Sequence, residues 1–361
     1  MRFHAHLLPI YVPETDPPFG PYLNQVLEQV TLAEELGWEC QWFTEHHFVQ
    51  YGGPIPNPAV MLAAAAARTS RIRLGSAISI LPLHHPVQTA EDYAMVDALS
   101  GGRLEFGIGR GNTELDYTVY GVDRAESHAR LDEALAIIRK AWSQERFSHH
   151  GRFWQIDDCT LTPRPEQSAQ GGLPPIWVAS FSPETVRWAG ANGFHLMTVS
   201  HPVPPARINE AVAIWRQALR EAGYDPARFH NKLHVRVYVH ADRDRAREVA
   251  EAAILLYENL AEARHVRGRP SLSYADYDWQ GMLDQGRNIY GNPDDCIRQL
   301  QSALRHFDNV DIISTTFNFG GIPFNDVLTS MRLFAGEVMP AFVGSASQPE
   351  DRLAARPLTR P

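Results

Sequence analysis

Cysteine is scarce in this 361-residue chain. Cys40, Cys159 and Cys296 are the only three, and no two stand in a C-x-x-C spacing. That argues against a disulfide framework and a cysteine zinc site, and makes a reducing cytoplasm the expected compartment. Long apolar runs are also missing. The longest, residues 59–67 (AVMLAAAAA), has nine residues, where a membrane span needs about 20. The segment MRFHAHLLPIYVPE shows no cleavable signal pattern. Basic residues are outnumbered: 33 Lys and Arg against 42 Asp and Glu leave a net charge of −9. Neither nucleic acid nor an anionic membrane surface is an expected partner. HExxH, GxSxG and GxxxxGK[ST] do not occur, so acyl transfer and nucleotide hydrolysis have no motif to rest on.

What is present is a globular composition, 44% hydrophobic, with strand-like runs alternating with helical patterns. The runs are 3–9, 40–47, 71–81, 103–111, 175–180, 194–200, 233–240 and 309–319. Between them, Leu131, Leu135, Ile138 and Trp142 mark a one-sided helical stripe, as do Ile208, Val212, Trp215 and Leu219. Gly37, Gly101, Gly193 and Gly223 stand where helix C-caps are expected. Eight such units predict an α/β fold, a (β/α)₈ TIM barrel. Two insertions interrupt it: 147–174, a short hairpin and loop before strand 5, and 264–292, without a clear period, before the last helix–strand unit. One domain over 1–343 is expected, followed by a flexible polar tail, 344–361.

In such a barrel the chemistry collects at the C-terminal strand ends. The second run ends in FTEHHF. His46 and His47 are candidate general acid–base groups; on a regular strand only one of the two faces the mouth, though a bend at the strand end could bring both near it, and a His–Glu packing cluster at the strand end is the rival reading. His4 and His6 have the spacing of a barrel metallohydrolase, but later strand ends lack the remaining ligands, so no metal is expected. Small residues at 75–77 allow a flat ligand close to the backbone. His84 and His85, after Pro82, read as loop residues. The fourth run ends GIGRGN, which offers open backbone and one cation, Arg110; a salt bridge to Glu114 is the rival reading. Ser182 before Pro183 is a helix N-cap, and with Thr185 it forms a natural phosphate seat.

Taken in order, EHHF (45–48), RIRLGSAISILPLHHP (71–86), AEDYAMVDALSGGRLEFGIGRG (90–111), YGV (120–122), HARLDEALAIIRKAW (128–142), GRFW (151–154), PRP (163–165), SFSPETVRWAGANG (180–193) and GNPDDCIRQL (291–300) resemble the bacterial luciferase-like family of flavin-dependent monooxygenases. The resemblance covers roughly residues 1–343. It implies a TIM barrel whose flavin rests against a non-prolyl cis peptide at Ala77–Ile78. It places cofactor contacts on Arg110, Asn112, Ser180, Phe181, Ser182 and Thr185, and on His128, where relatives carry Arg. It puts His46 at the reacting end of the flavin, with His47 as the second candidate. It further implies reduced FMN from a separate flavin reductase, O₂ as co-substrate, a small organic substrate, and a homodimer. The loop 264–292 would serve as a lid. The alternatives are a deazaflavin-dependent oxidoreductase of the same superfamily and a flavin-binding protein without catalysis.

Overall fold

The computed structural model describes residues 1–50, 52–201, 203–265 and 272–343; the tail expected over 344–361 lies outside these. Eight parallel strands close into a barrel: β1 (Arg2–Leu7), β2 (Cys40–Phe43), β3 (Arg73–Ser76), β4 (Leu104–Gly109), β5 (Ile176–Ala179), β6 (His195–Val199), β7 (Asn231–Val239) and β8 (Ile312–Thr316). Each pairs with the next in order, and β8 returns to β1 with His4 opposite Ser314. The predicted (β/α)₈ barrel is the observed architecture.

Helices pack around the outside. Those used below are α1 (Phe19–Glu35), α2 (Pro58–Ala66), α3 (Pro86–Ser100), α4 (Ser127–Ser143), α5 (Pro183–Ala191), α6 (Pro205–Glu221) and α7 (Arg243–His265). The predicted stripes are their inner faces: Leu131, Leu135, Ile138 and Trp142 on α4, and Ile208, Val212, Trp215 and Leu219 on α6, are all buried. The hairpin expected before strand 5 is present as Phe147–His150 paired with Gln155–Cys159.

Two expectations need correction. The segment 264–292 is not irregular throughout. Trp279–Asp284 forms a short helix, and Asn288–Gly291 is a strand paired with β7 at residues 236–239. Only four residues long and half polar, it lacks the apolar run that marks a strand in sequence. The run 40–47 stops being a strand at Phe43, and 71–81 divides into β3 and a two-residue bridge, Ser79–Ile80, separated by a cis peptide at Ala77–Ile78.

The barrel interior is filled from below. Trp42 on β2 meets Trp177 on β5 edge-to-face at 5.4 Å, and the Lys232 ammonium of β7 lies 3.6 Å from the centre of the Trp42 ring. These strands are not neighbours, so the contacts cross the barrel and plug it. Gly75 makes room for the plug: a Cβ there would lie 2.2 Å from the Trp42 ring. The polar groups therefore gather above, at the C-terminal mouth.

Candidate active site

Beyond Phe43 the chain leaves the sheet and turns, with Phe48 in the left-handed region at φ 60°. This bend sends the two histidines in different directions. The His46 ring packs over Gly52 near Leu8, at the end of β1; a Cβ on Gly52 would meet both side chains at about 2.5 Å. His47 is buried on the other side. Its Nε2 lies 3.0 Å from a Glu45 Oε1, and the Tyr120 hydroxyl stands 3.3 Å from its Nδ1.

Glu45, expected only as a member of a His–Glu packing cluster, organises this corner. Fully buried, its carboxylate accepts from His47 Nε2, from His84 Nε2 at 2.6 Å and from the Ile80 backbone N–H at 3.1 Å. Burial alone would push the Glu45 carboxyl up. The hydrogen bonds from His47 and His84 outweigh it and hold the group below the ordinary carboxylate range. His84 is shifted the opposite way: burial would lower it, but the Glu45 hydrogen bond and charge raise it. His84 lies in a loop, as expected, and is there a partner of Glu45. The three ligand-type atoms lie within 4.8 Å of one another. As arranged, they form a carboxylate hub receiving three N–H donors, which ties the 44–48 turn to the segment just after the cis peptide.

That segment forms a shelf. Ala77 and Ile78 are half-buried, Ser79 and Ile80 pair with Ile108 and Gly109 of β4, and Gly109 makes room for the Ile78 side chain. Arg110 follows directly. Its Nη2 reaches to 3.4 Å from Thr185 Oγ1, in the first turn of α5. There Ser182 caps the helix, its Oγ accepting from Thr185 N, and Ser180 Oγ accepts from Ser182 N at 3.1 Å. The alternative partner for Arg110, Glu114, pairs instead with Arg124 at 3.1 Å. His128, in the first turn of α4, lies 3.9 Å from Glu184 of α5 and 3.7 Å from Asp132. Phe181 and Asn112 are exposed at the rim. One cation, two hydroxyls and a helix N-terminus therefore meet at the edge of the shelf. His46 stands apart, where β1 and β2 end.

The model of the luciferase-like monooxygenase family matches residues 2–306. The chain belongs to this family. It is 30% identical to the 4-hydroxyprotoasukamycin monooxygenase of Streptomyces nodosus subsp. asukaensis over 96% of this chain and 93% of that one. To the oxygenase component of a flavin-dependent trigonelline monooxygenase of Acinetobacter baylyi it is 34% identical over 47% and 46% of the two chains. It spans 50% and 55% of the length of two uncharacterized Sinorhizobium fredii proteins, at 37% and 35% identity. Among solved structures, the monooxygenase RslO1 from Streptomyces bottropensis superposes with a TM-score of 0.86 at 28% identity, covering 95% of this chain and all of that one. Among the described residues, no helix is long and apolar enough to cross a membrane.

Proposed function

We propose that this protein is the oxygenase of a two-component system. It would take reduced FMN from a separate reductase and use it with O₂ to oxygenate a small organic substrate. The observation that carries the reading is the meeting of Arg110, Thr185 and the Ser182-capped end of α5 at the edge of the Ala77–Ile78 shelf. The donor set fits a phosphate-bearing flavin. A dianion at a helix N-terminus gains from free N–H groups and from the macrodipole, and a guanidinium adds a charge-assisted bond. The relative named as an oxygenase component supports the two-component arrangement.

Bound reduced FMN supplies the chemistry that activates O₂; the protein supplies placement. Arg110, Ser182 and Thr185 hold the phosphate, with Ser180 fixing the turn, His128 at the margin, and Asn112 and Phe181 at the rim. Ala77 and Ile78 back the ring. His46 moves a proton at the reacting end, and the Trp42–Trp177 plug keeps water from entering below. His47, held by Glu45, orients the 44–48 turn. Val60, Met95 and Leu99, each more than half exposed on α2 and α3, fit burial against a second copy of the chain.

The test is a titration of the protein with FMN, riboflavin and a deazaflavin coenzyme. A phosphate bond to Arg110 worth about 1.5–3 kcal/mol predicts at least tenfold tighter FMN than riboflavin. Arg110→Ala, and Ser182→Ala with Thr185→Ala, should narrow that gap while leaving riboflavin unchanged. Without a reductase the protein should not oxidise NADH. Equal FMN and riboflavin affinities would remove the phosphate seat, and tighter deazaflavin binding would move the protein to the deazaflavin-dependent branch.

A further inference from the structure

Across the mouth from the shelf, three buried histidines form an arc that the cofactor does not use. His6 lies near the end of β1, His234 on β7, and His201 just past β6. The His6 and His234 rings are 4.2 Å apart although β8 separates their strands, so both point into the barrel. His201 continues the arc, 5.6 Å from His234 and 5.5 Å from Tyr257. The three are 8%, 4% and 5% exposed for His6, His234 and His201. Yet His6 Nδ1 and His201 Nδ1 have no hydrogen-bond partner among the described residues. Buried polar atoms are rarely left so; two of them facing one mouth mark the place of a ligand's polar groups.

Their chemistry narrows that ligand. Thr316 Oγ1 donates to the His6 carbonyl at 3.0 Å, so its lone pair must accept from His234 Nε2 at 2.7 Å. His234 is thereby fixed as the neutral Nε2–H tautomer. Burial, helped by the charges of Lys232 and Arg236, brings His234 down to about 3, and burial also holds His6 and His201 well below the ordinary imidazole value. All three are uncharged at neutral pH. Among the nearby cations, Arg236 is neutralised by Glu258 at 2.8 Å and bonded to Asn288 and Tyr277, while Arg287, whose charge acts on His201, donates from Nε to the Ser200 carbonyl at 2.9 Å. A plain hydrocarbon chain would leave both Nδ1 atoms unpaired.

We infer that His6, His234 and His201 form the substrate-recognition side of the barrel mouth, built for an organic molecule that carries hydroxyl or carbonyl oxygens away from its reacting atom. This rests on the shelf being the flavin side of the same mouth. A hydroxylated or keto-bearing ring compound fits; fatty aldehydes do not.

Binding of 1,5-dihydroxynaphthalene and decanal would be measured by calorimetry, on protein with and without oxidised FMN. The diol should bind at least tenfold tighter than decanal. His6→Phe and His201→Phe should each remove that preference and leave FMN affinity within twofold. His6→Asn, which returns an amide near the Nδ1 position, should restore part of it. Where a Phe variant fails to fold, the imidazole ¹⁵N shifts of the unaltered protein decide: the diol should move the Nδ1 resonances of His6 and His201. Equal affinities for the two compounds, or unmoved resonances, would overturn the assignment. A protein that prefers the diol but does not bind FMN would overturn the flavin reading alone.

Discussion

Replacing Glu45 with Gln isolates the hub behind the shelf. The side chain keeps its shape and loses its charge. One carboxylate oxygen accepts from both imidazoles and the other from the Ile80 N–H. An amide has one oxygen and one NH₂: with the oxygen toward the imidazoles the NH₂ faces the Ile80 N–H, and the reverse orientation requires both imidazoles to move their proton to Nδ1. Leaving the Ile80 N–H unpaired costs about 1–3 kcal/mol, and losing the charge-assisted bond to His84 about 1.5–3 kcal/mol. A loss of about 3–5 kcal/mol is expected, in line with breaking one side of a buried ion pair. The loss depends on pH. His84 is raised in the folded state, so its contribution is full below the ordinary imidazole value of about 6.5 and fades as pH rises through its folded value. Glu45 is lowered, so its contribution is full above the ordinary carboxyl value of about 4.3 and fades as pH falls through its folded value. The gap between wild type and Glu45→Gln, read from urea unfolding, should be widest between about pH 4.5 and 6.5 and narrower at pH 8.5. A variant within about 0.5 kcal/mol of wild type at pH 5.5, the size of an ordinary surface change, would refute the reasoning. So would a gap that does not vary with pH.

His46→Ala should bind FMN nearly as wild type does but lose coupled product by about 10²–10⁴-fold, with O₂ diverted to hydrogen peroxide; unchanged coupling would reduce His46 to a packing residue. Gly107→Ala sets a Cβ 1.9 Å from the Ser76 carbonyl oxygen, and should cost about 1–3 kcal/mol or more in thermal unfolding, because backbone must yield. Gly20→Ala, in α1 with nothing within 4 Å of the added Cβ, should instead stabilise by about 0.4–1 kcal/mol. If the two alanines behaved alike, close packing beneath the shelf would not be what Gly107 serves.

Local chemistry was legible in the sequence; long-range pairing was not. Gly37, Gly101, Gly193 and Gly223 all adopt positive φ, and Ser182-Pro183 starts α5 as a cap and first residue should. Both are signals carried within a few residues. Arg110 and Thr185, 75 positions apart, are brought together in the sequence only by the family resemblance, which puts both among the cofactor contacts. Glu45 and His84 were missed as partners. They lie 39 positions apart, and neither stands in a pattern that names the other. A bend at this strand end is allowed for by the sequence, but its place at Phe48 is not, because a left-handed phenylalanine has no sequence signature.

The segment 233–240 carries the most instructive case. The alternation Lys232, His234, Arg236 against Leu233, Val235, Val237 marks a strand with two unlike faces. The ordinary inference turns the polar face to solvent. Here every residue of β7 is buried, and the polar face contacts rings across the barrel axis, at Trp42 and His6. Periodicity reports that the faces differ; it does not say which one meets the axis. Closure of the sheet decides that, because the outer face of each barrel strand is covered by helices and takes the apolar residues. The inner face is then free to carry chemistry wherever a plug below excludes bulk water. Trp42 and Trp177 supply that plug, with Lys232 packed against it, which is why buried His234 and Arg236, further along β7, belong to the working end of this barrel and not to a misplaced surface.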